Sequence, residues 1–131
     1  MKNLLLFVLI SIIIFPSCTK IEGLGGHASI QGKVYVLDYN EELTTKLDEY
    51  YGANIDVYII YGNDVIYNDD FSTSYDGSYR FEHLQPGNYT IFAYSEDTTK
   101  VTEGNIFPVF KYITIGKDDD SITLDDIVIV K

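Results

Sequence analysis

A two-residue hydrophobic period, punctuated by glycine and proline, runs through the middle of this chain. In "GSYRFEHLQPGNYTIFAYS" (77–95), Tyr79, Phe81 and Leu84 precede Pro86-Gly87, and Tyr89, Ile91 and Ala93 follow it. Successive side chains of a strand point to opposite faces, so this alternation buries one face and wets the other, whereas a helix would need a period of about 3.6. Asp76-Gly77 supplies a residue tolerant of positive φ before the first strand. Pro86-Gly87 pairs a fixed φ with a free one, as a type II turn requires.

The same period recurs on both sides. In "ASIQGKVYVLD" (28–38), Ile30, Gly32, Val34 and Val36 share one face and Gln31, Lys33, Tyr35 and Leu37 the other. "GANIDVYIIYG" (52–62) sets Ala53, Ile55, Val57 and Ile59 against Asn54, Asp56, Tyr58 and Ile60, and Gly62-Asn63-Asp64 then turns the chain into a hairpin. Two further strands, "IFPVFKYITIG" and "SITLDDIVIVK", are separated by Lys117-Asp118-Asp119-Asp120. Pro108 cannot donate to a ladder, which places its strand at an edge or at a strand start. The segment "YNEELTTKLDEYYG" (39–52) reads as one or two helical turns capped by Asn40, or equally as a loop. Counting gives about seven short strands with no long helix, an all-β sandwich.

The amino terminus carries a different signal. Lys2 is followed by an apolar run from Leu4 to Phe15. About a dozen apolar residues suit a cleavable secretory signal and fall short of the ~20 that span a bilayer. Ser17-Cys18 then presents the only cysteine. The pattern resembles a bacterial lipoprotein signal, which implies cleavage after residue 17 and a lipid on Cys18; an ordinary signal peptide with an incidental cysteine is the alternative. Residues 18–27, with Gly23, Gly25 and Gly26, read as a lipidated cysteine and flexible tether, and 28–131 as one domain. With no second cysteine, the domain rests on its core and not on a disulfide. The net charge of −11 disfavours nucleic acid and anionic lipid headgroups as partners.

The set Thr73, Asp76-Gly77, Tyr79, Phe81, Leu84, Pro86-Gly87 and Tyr89, with "GKVYV" from Gly32 and "GANIDVYI" from Gly52, resembles the signature of carboxypeptidase regulatory-like and collagen-adhesin B-type domains. That resemblance spans nearly all of 28–131 and implies a transthyretin-like (prealbumin-like) β-sandwich with Greek-key connections. Such domains serve as stalks, adhesin modules and appendages to enzymes, so the likeness speaks to fold more than to function. Together with the leader it resembles small lipoproteins of Bacteroidetes. Attachment to outer-membrane lipid through Cys18 is the implied address, on the periplasmic or the cell-surface face.

Catalysis has little to stand on. His27 and His83 lie in no pattern that makes either a base for a serine, and Cys18 is committed to lipid. The chain ends Ile127-Val128-Ile129-Val130-Lys131, without the Tyr-Arg-Gly-Ser ending of the transthyretin-like hydroxyisourate hydrolases. Asp38, Asn40 and Glu42 at alternate positions, with Asp48 and Glu49 following, offer hard oxygen ligands for Ca²⁺, against the plainer reading of a solvated acidic loop. An adhesin-type isopeptide bond would use Lys33 with Asp125 or Asp126, but Lys33 falls on the outward parity. Asp120-Ser121-Ile122 and Asp97-Thr98-Thr99 resemble the short O-glycosylation motif of exported Bacteroidetes proteins, at Ser121 and Thr98. Tyr35, Tyr58, Tyr61, Tyr67 and Tyr94 are candidate contacts for a protein or glycan ligand, with cross-strand pairing as the alternative. The expectation is a non-catalytic adhesion, binding or structural module. The second reading is a calcium-dependent carbohydrate-binding or polysaccharide-processing accessory.

Overall fold

The computed structural model describes residues 21–131; the stretch read as a signal peptide (1–17) and the candidate lipidation site Cys18 lie outside the described residues. Among the described residues the strands are β1 (Leu24–Tyr39), β2 (Lys46–Tyr51), β3 (Asp56–Tyr61), β4 (Asp69–Ser72), β5 (Ser78–Leu84), β6 (Gly87–Glu96), β7 (Ile106–Ile115), β8 (Ser121–Thr123) and β9 (Ile127–Val130). They form two sheets of an all-β sandwich, with nine strands where the sequence pattern gives about seven.

β1 is the spine of the five-stranded sheet. Its first half pairs antiparallel with β5 and parallel with β8; its second half pairs antiparallel with β2 and parallel with β9. The two antiparallel partners meet at Val34, whose N–H donates to Gly77 O while its carbonyl accepts from Gly52 N. Gly77 holds φ at 80° there, with Tyr51 Cβ and Val34 O each 2.9 Å from where a Cβ would stand. The second sheet runs β4-β3-β6-β7.

The inward parity read from the sequence is the core. Ile30, Val34, Val36, Tyr79, Phe81, Leu84, Ile127 and Ile129 from one sheet meet Val57, Ile59, Tyr89, Ile91, Ala93, Ile113 and Ile115 from the other, all buried. Thr73 closes the corner between β2 and β3. Its buried hydroxyl donates to Gly52 O at 2.6 Å and accepts from Ile55 N at 2.9 Å.

Two expectations change. The tether stops short of His27, because residues 24–27 already belong to β1, and Gly23 N–H donates to the buried Tyr89 hydroxyl at 2.9 Å. The stretch 39–52 is neither helix nor plain loop. Asn40 does cap, its Oδ1 accepting from Thr44 N and Thr45 N, but Leu43 adopts φ 57° and the chain reverses into β2, with Tyr51 opposite Tyr35. The long second half of β1 offers ladder groups that must be paired, and this outweighs the weak helical pattern. Pro108 lies on β7, an edge strand as its chemistry requires.

Candidate functional site

Parity in the four-stranded sheet sends one set of side chains inward and another out to solvent. The outward set is aromatic. Tyr58 on β3 stands opposite Phe92 on β6, which stands opposite Phe110 on β7, and Tyr112 follows two residues on. Tyr94 extends the row along β6, and Tyr67 reaches it from the β3–β4 loop. Ring centroids lie 4.7 Å apart for Tyr58 and Tyr67, 5.1 Å for Tyr58 and Phe92, 5.5 Å for Phe92 and Phe110, and 6.0 Å for Phe110 and Tyr112. Tyr94 touches both Tyr58 and Phe92, at 5.7 and 5.5 Å. These spacings suit favourable aromatic pairs.

The band is covered at its centre and open around it. Phe92 is 6% exposed beneath its neighbours, while Phe110, Tyr94, Tyr67 and Tyr112 are 42, 47, 48 and 76% exposed. A cleft of about 310 Å³ opens at one end, lined by Asp56, Tyr58, Tyr94, Glu96, Ile106 and Lys131 among others. Asp70 is the cross-strand neighbour of Tyr58. Burial among the rings, then Asp56 and more weakly the other tyrosines and Asp70, pushes the Tyr58 phenol up. A second groove, of about 440 Å³, separates β4 from β5, but there Arg80 is already paired with Glu82 at 2.6 Å.

The loop that presents Tyr67 is itself ordered by side chains. Asn68 Oδ1 accepts from Tyr61 N at 2.7 Å and its Nδ2 donates to Asp64 Oδ2 at 2.8 Å, while Gly62 takes φ 56° to turn the chain. The asparagine thus bridges the two ends of the loop.

The structure brings together three of the five tyrosines singled out from sequence: Tyr58, Tyr67 and Tyr94. Tyr35 lies on the other sheet, edge-on to Tyr51 at 5.1 Å. Tyr61 is a correction: it shares the inward parity of Val57 and Ile59 and meets Tyr89 edge-on at 5.8 Å. Phe92, Phe110 and Tyr112 are the members that sequence reasoning missed. Their outward parity was readable within each strand, but their adjacency depends on the register between strands.

The acidic residues do not form a ligand set. Asp38 accepts from Tyr50 Oη at 3.1 Å, Asn40 is used by its own turn, Asp48 Oδ1 accepts from Glu49 N, and Glu49 pairs with Lys46 at 2.7 Å. Hydrogen bonds from Lys46 and Tyr35 hold the Glu49 carboxyl below its ordinary range. Glu42 is exposed at the loop tip. Among the described residues no three His, Cys, Asp or Glu side chains converge as metal ligands. Lys33 holds its ammonium over the Tyr51 ring at 4.7 Å from the centroid, and Asp126 accepts from Tyr51 Oη at 2.9 Å. Ser121 Oγ accepts from Gln31 Nε2 at 3.1 Å, and Thr98 is exposed in the loop that Asp97 organises. His27 pairs with Asp118 at 2.9 Å, and His83 lies 4.0 Å from Glu82.

No protein-family model matches the chain, and no curated protein matches it. A solved structure from Pseudomonas aeruginosa, described as a candidate carbohydrate-binding protein, is similar over 83% of this chain and 91% of its own, at 14% identity and a TM-score of 0.46.

Proposed function

We propose that this chain is a non-catalytic binding module of the cell envelope, a sandwich of the transthyretin-like type. A lipid on Cys18 holds it to the outer membrane, and the aromatic band meets its ligand. The observation that carries this reading is the exposure of Tyr67, Tyr94, Phe110 and Tyr112 as one contiguous patch on a sheet whose opposite face already fills the core. Contiguous exposed apolar surface, rich in tyrosine and phenylalanine, is the composition of contact surfaces. Tyrosine offers contact area at low entropic cost, and its hydroxyl remains free to bond a polar ligand.

An array of extracellular proteins and glycans, probed with the mature chain carrying Cys18→Ser, tests the band. A ligand found there is expected to lose at least about tenfold in affinity when Tyr94, Phe110 and Tyr112 are all replaced by serine, the scale of a contact hot spot. Retention of the ligand by the triple variant, with an unchanged fold by circular dichroism, sinks the reading. Incorporation of labelled fatty acid, lost in Cys18→Ser, tests the anchor separately.

A further inference from the structure

We infer that the aromatic band takes a basic polypeptide segment, with arginine side chains laid over Tyr58, Tyr67 and Tyr94 and paired with the carboxylates beside them. This rests on the reading of the band as the ligand surface and adds the chemistry of its occupant.

Charge complementarity carries the inference. Tyr58 is flanked in space by Tyr67, Tyr94 and Phe92, with ring centroids at 4.7, 5.7 and 5.1 Å. Asp70 faces Tyr58 across the β3–β4 ladder, and Asp56 and Glu96 line the cleft that Tyr58 and Tyr94 share. Among the described residues none of these three carboxylates belongs to an ion pair. Lys131 is the one cationic side chain in the cleft lining, against the carboxylates of Asp56 and Glu96 there. The rings therefore sit in a field of unpaired negative charge, on a chain whose net charge is −11.

A guanidinium suits both halves of such a site. Its plane is attracted to the electron-rich faces of tyrosine and its edge donates in parallel to a carboxylate. A neutral glycan would use the rings but leave the carboxylates without counter-charge. A sulfated or phosphorylated one would be repelled.

Two-dimensional NMR titration of the Cys18→Ser chain at about 150 mM salt, where long-range attraction is screened, provides the test. The probes are an acetylated hexapeptide containing two arginines, the same peptide with citrulline at both positions, and maltohexaose. The arginine peptide is expected to shift amide signals of β3, β4 and β6 and to bind at least about tenfold more tightly than the citrulline peptide. Tyr94→Leu and Tyr67→Leu, which change no charge at half-exposed positions, should each weaken it by about three- to tenfold. Asp125→Asn, an exposed acid between β8 and β9, should change it less than about twofold. Equal binding of the citrulline peptide overturns the inference, as does an equal loss in Asp125→Asn or no binding of the arginine peptide. Maltohexaose binding at the rings without arginine binding overturns the inference but leaves the band as the ligand surface. An array ligand indifferent to the tyrosine variants removes the band itself.

Discussion

Two tyrosines of the core have opposite roles. Tyr89 Oη accepts from Gly23 N–H at 2.9 Å and donates to Gln85 O at 2.6 Å, tying the start of β1 to the β5–β6 turn. Tyr79 is as deeply buried, yet among the described residues its hydroxyl has no hydrogen-bond partner, and burial pushes its phenol up strongly. Tyr89→Phe is therefore expected to cost about 1–3 kcal/mol, because a buried donor and acceptor lose their partner; Tyr79→Phe should leave stability unchanged or raise it by about 1 kcal/mol. Urea denaturation compares the two. Asp97 supplies a pH-dependent prediction. Its carboxylate accepts from Thr99 Oγ1 and N, from Val101 N, and from Thr102 N and Oγ1, and these bonds, led by the Thr99 hydroxyl, hold it far below the usual carboxylate range. A pKa depressed in the folded state contributes stability that is complete above the unfolded value of about 4 and lost as pH falls below it. The melting temperature of Asp97→Ala should lie several degrees below that of the natural chain at pH 7. That gap should narrow steadily as the pH falls through the acid range.

Among the elements, β7 is the most exposed to unwanted pairing. It is a ten-residue edge strand, apolar except for Lys111 and the threonine and tyrosine near its end. Lys111 stands opposite Ile91, on the parity that faces the other sheet, and Pro108 removes one donor. Inward charge and proline are the devices that keep such edges from recruiting another strand. Lys111→Ile should convert 106–115 into an adhesive edge, with self-association visible by light scattering at concentrations where the natural chain stays monodisperse. The Pro108 edge was legible because proline chemistry is local. β2 was not: Asn40 caps a turn and a helix with the same hydrogen bonds, and only the unpaired length of β1 chose between them. The Tyr79 and Tyr89 strands were legible for the opposite reason, since Tyr79 and Phe81 and then Tyr89, Ile91 and Ala93 keep the two-residue period; Leu84 departs from it because His83, at φ 59°, interposes an extra residue.

At the scale of the whole molecule the surface is acidic and thinly neutralised. The pairs His27–Asp118, Lys46–Glu49 and Arg80–Glu82 are all exposed, and exposed pairs contribute little. Self-repulsion at a net charge of −11 should therefore dominate the salt response: the melting temperature rises between about 10 and 150 mM salt, where a chain held by ion pairs would show a fall. Sequence alone determined the all-β class, the inward core and the turn at Gly77, because side-chain parity and glycine dihedrals act within a few residues; at Pro86-Gly87 the chain does reverse, but Gly87 enters β6 at φ 141° and not in the type II turn that the pair suggests. Tertiary structure decided the rest. That Tyr58, Phe92 and Phe110 form one row, and that Asp56 and Asp70 stand beside the rings, follow from strand order and register. Those pairings join residues far apart in the chain, and no local pattern records them.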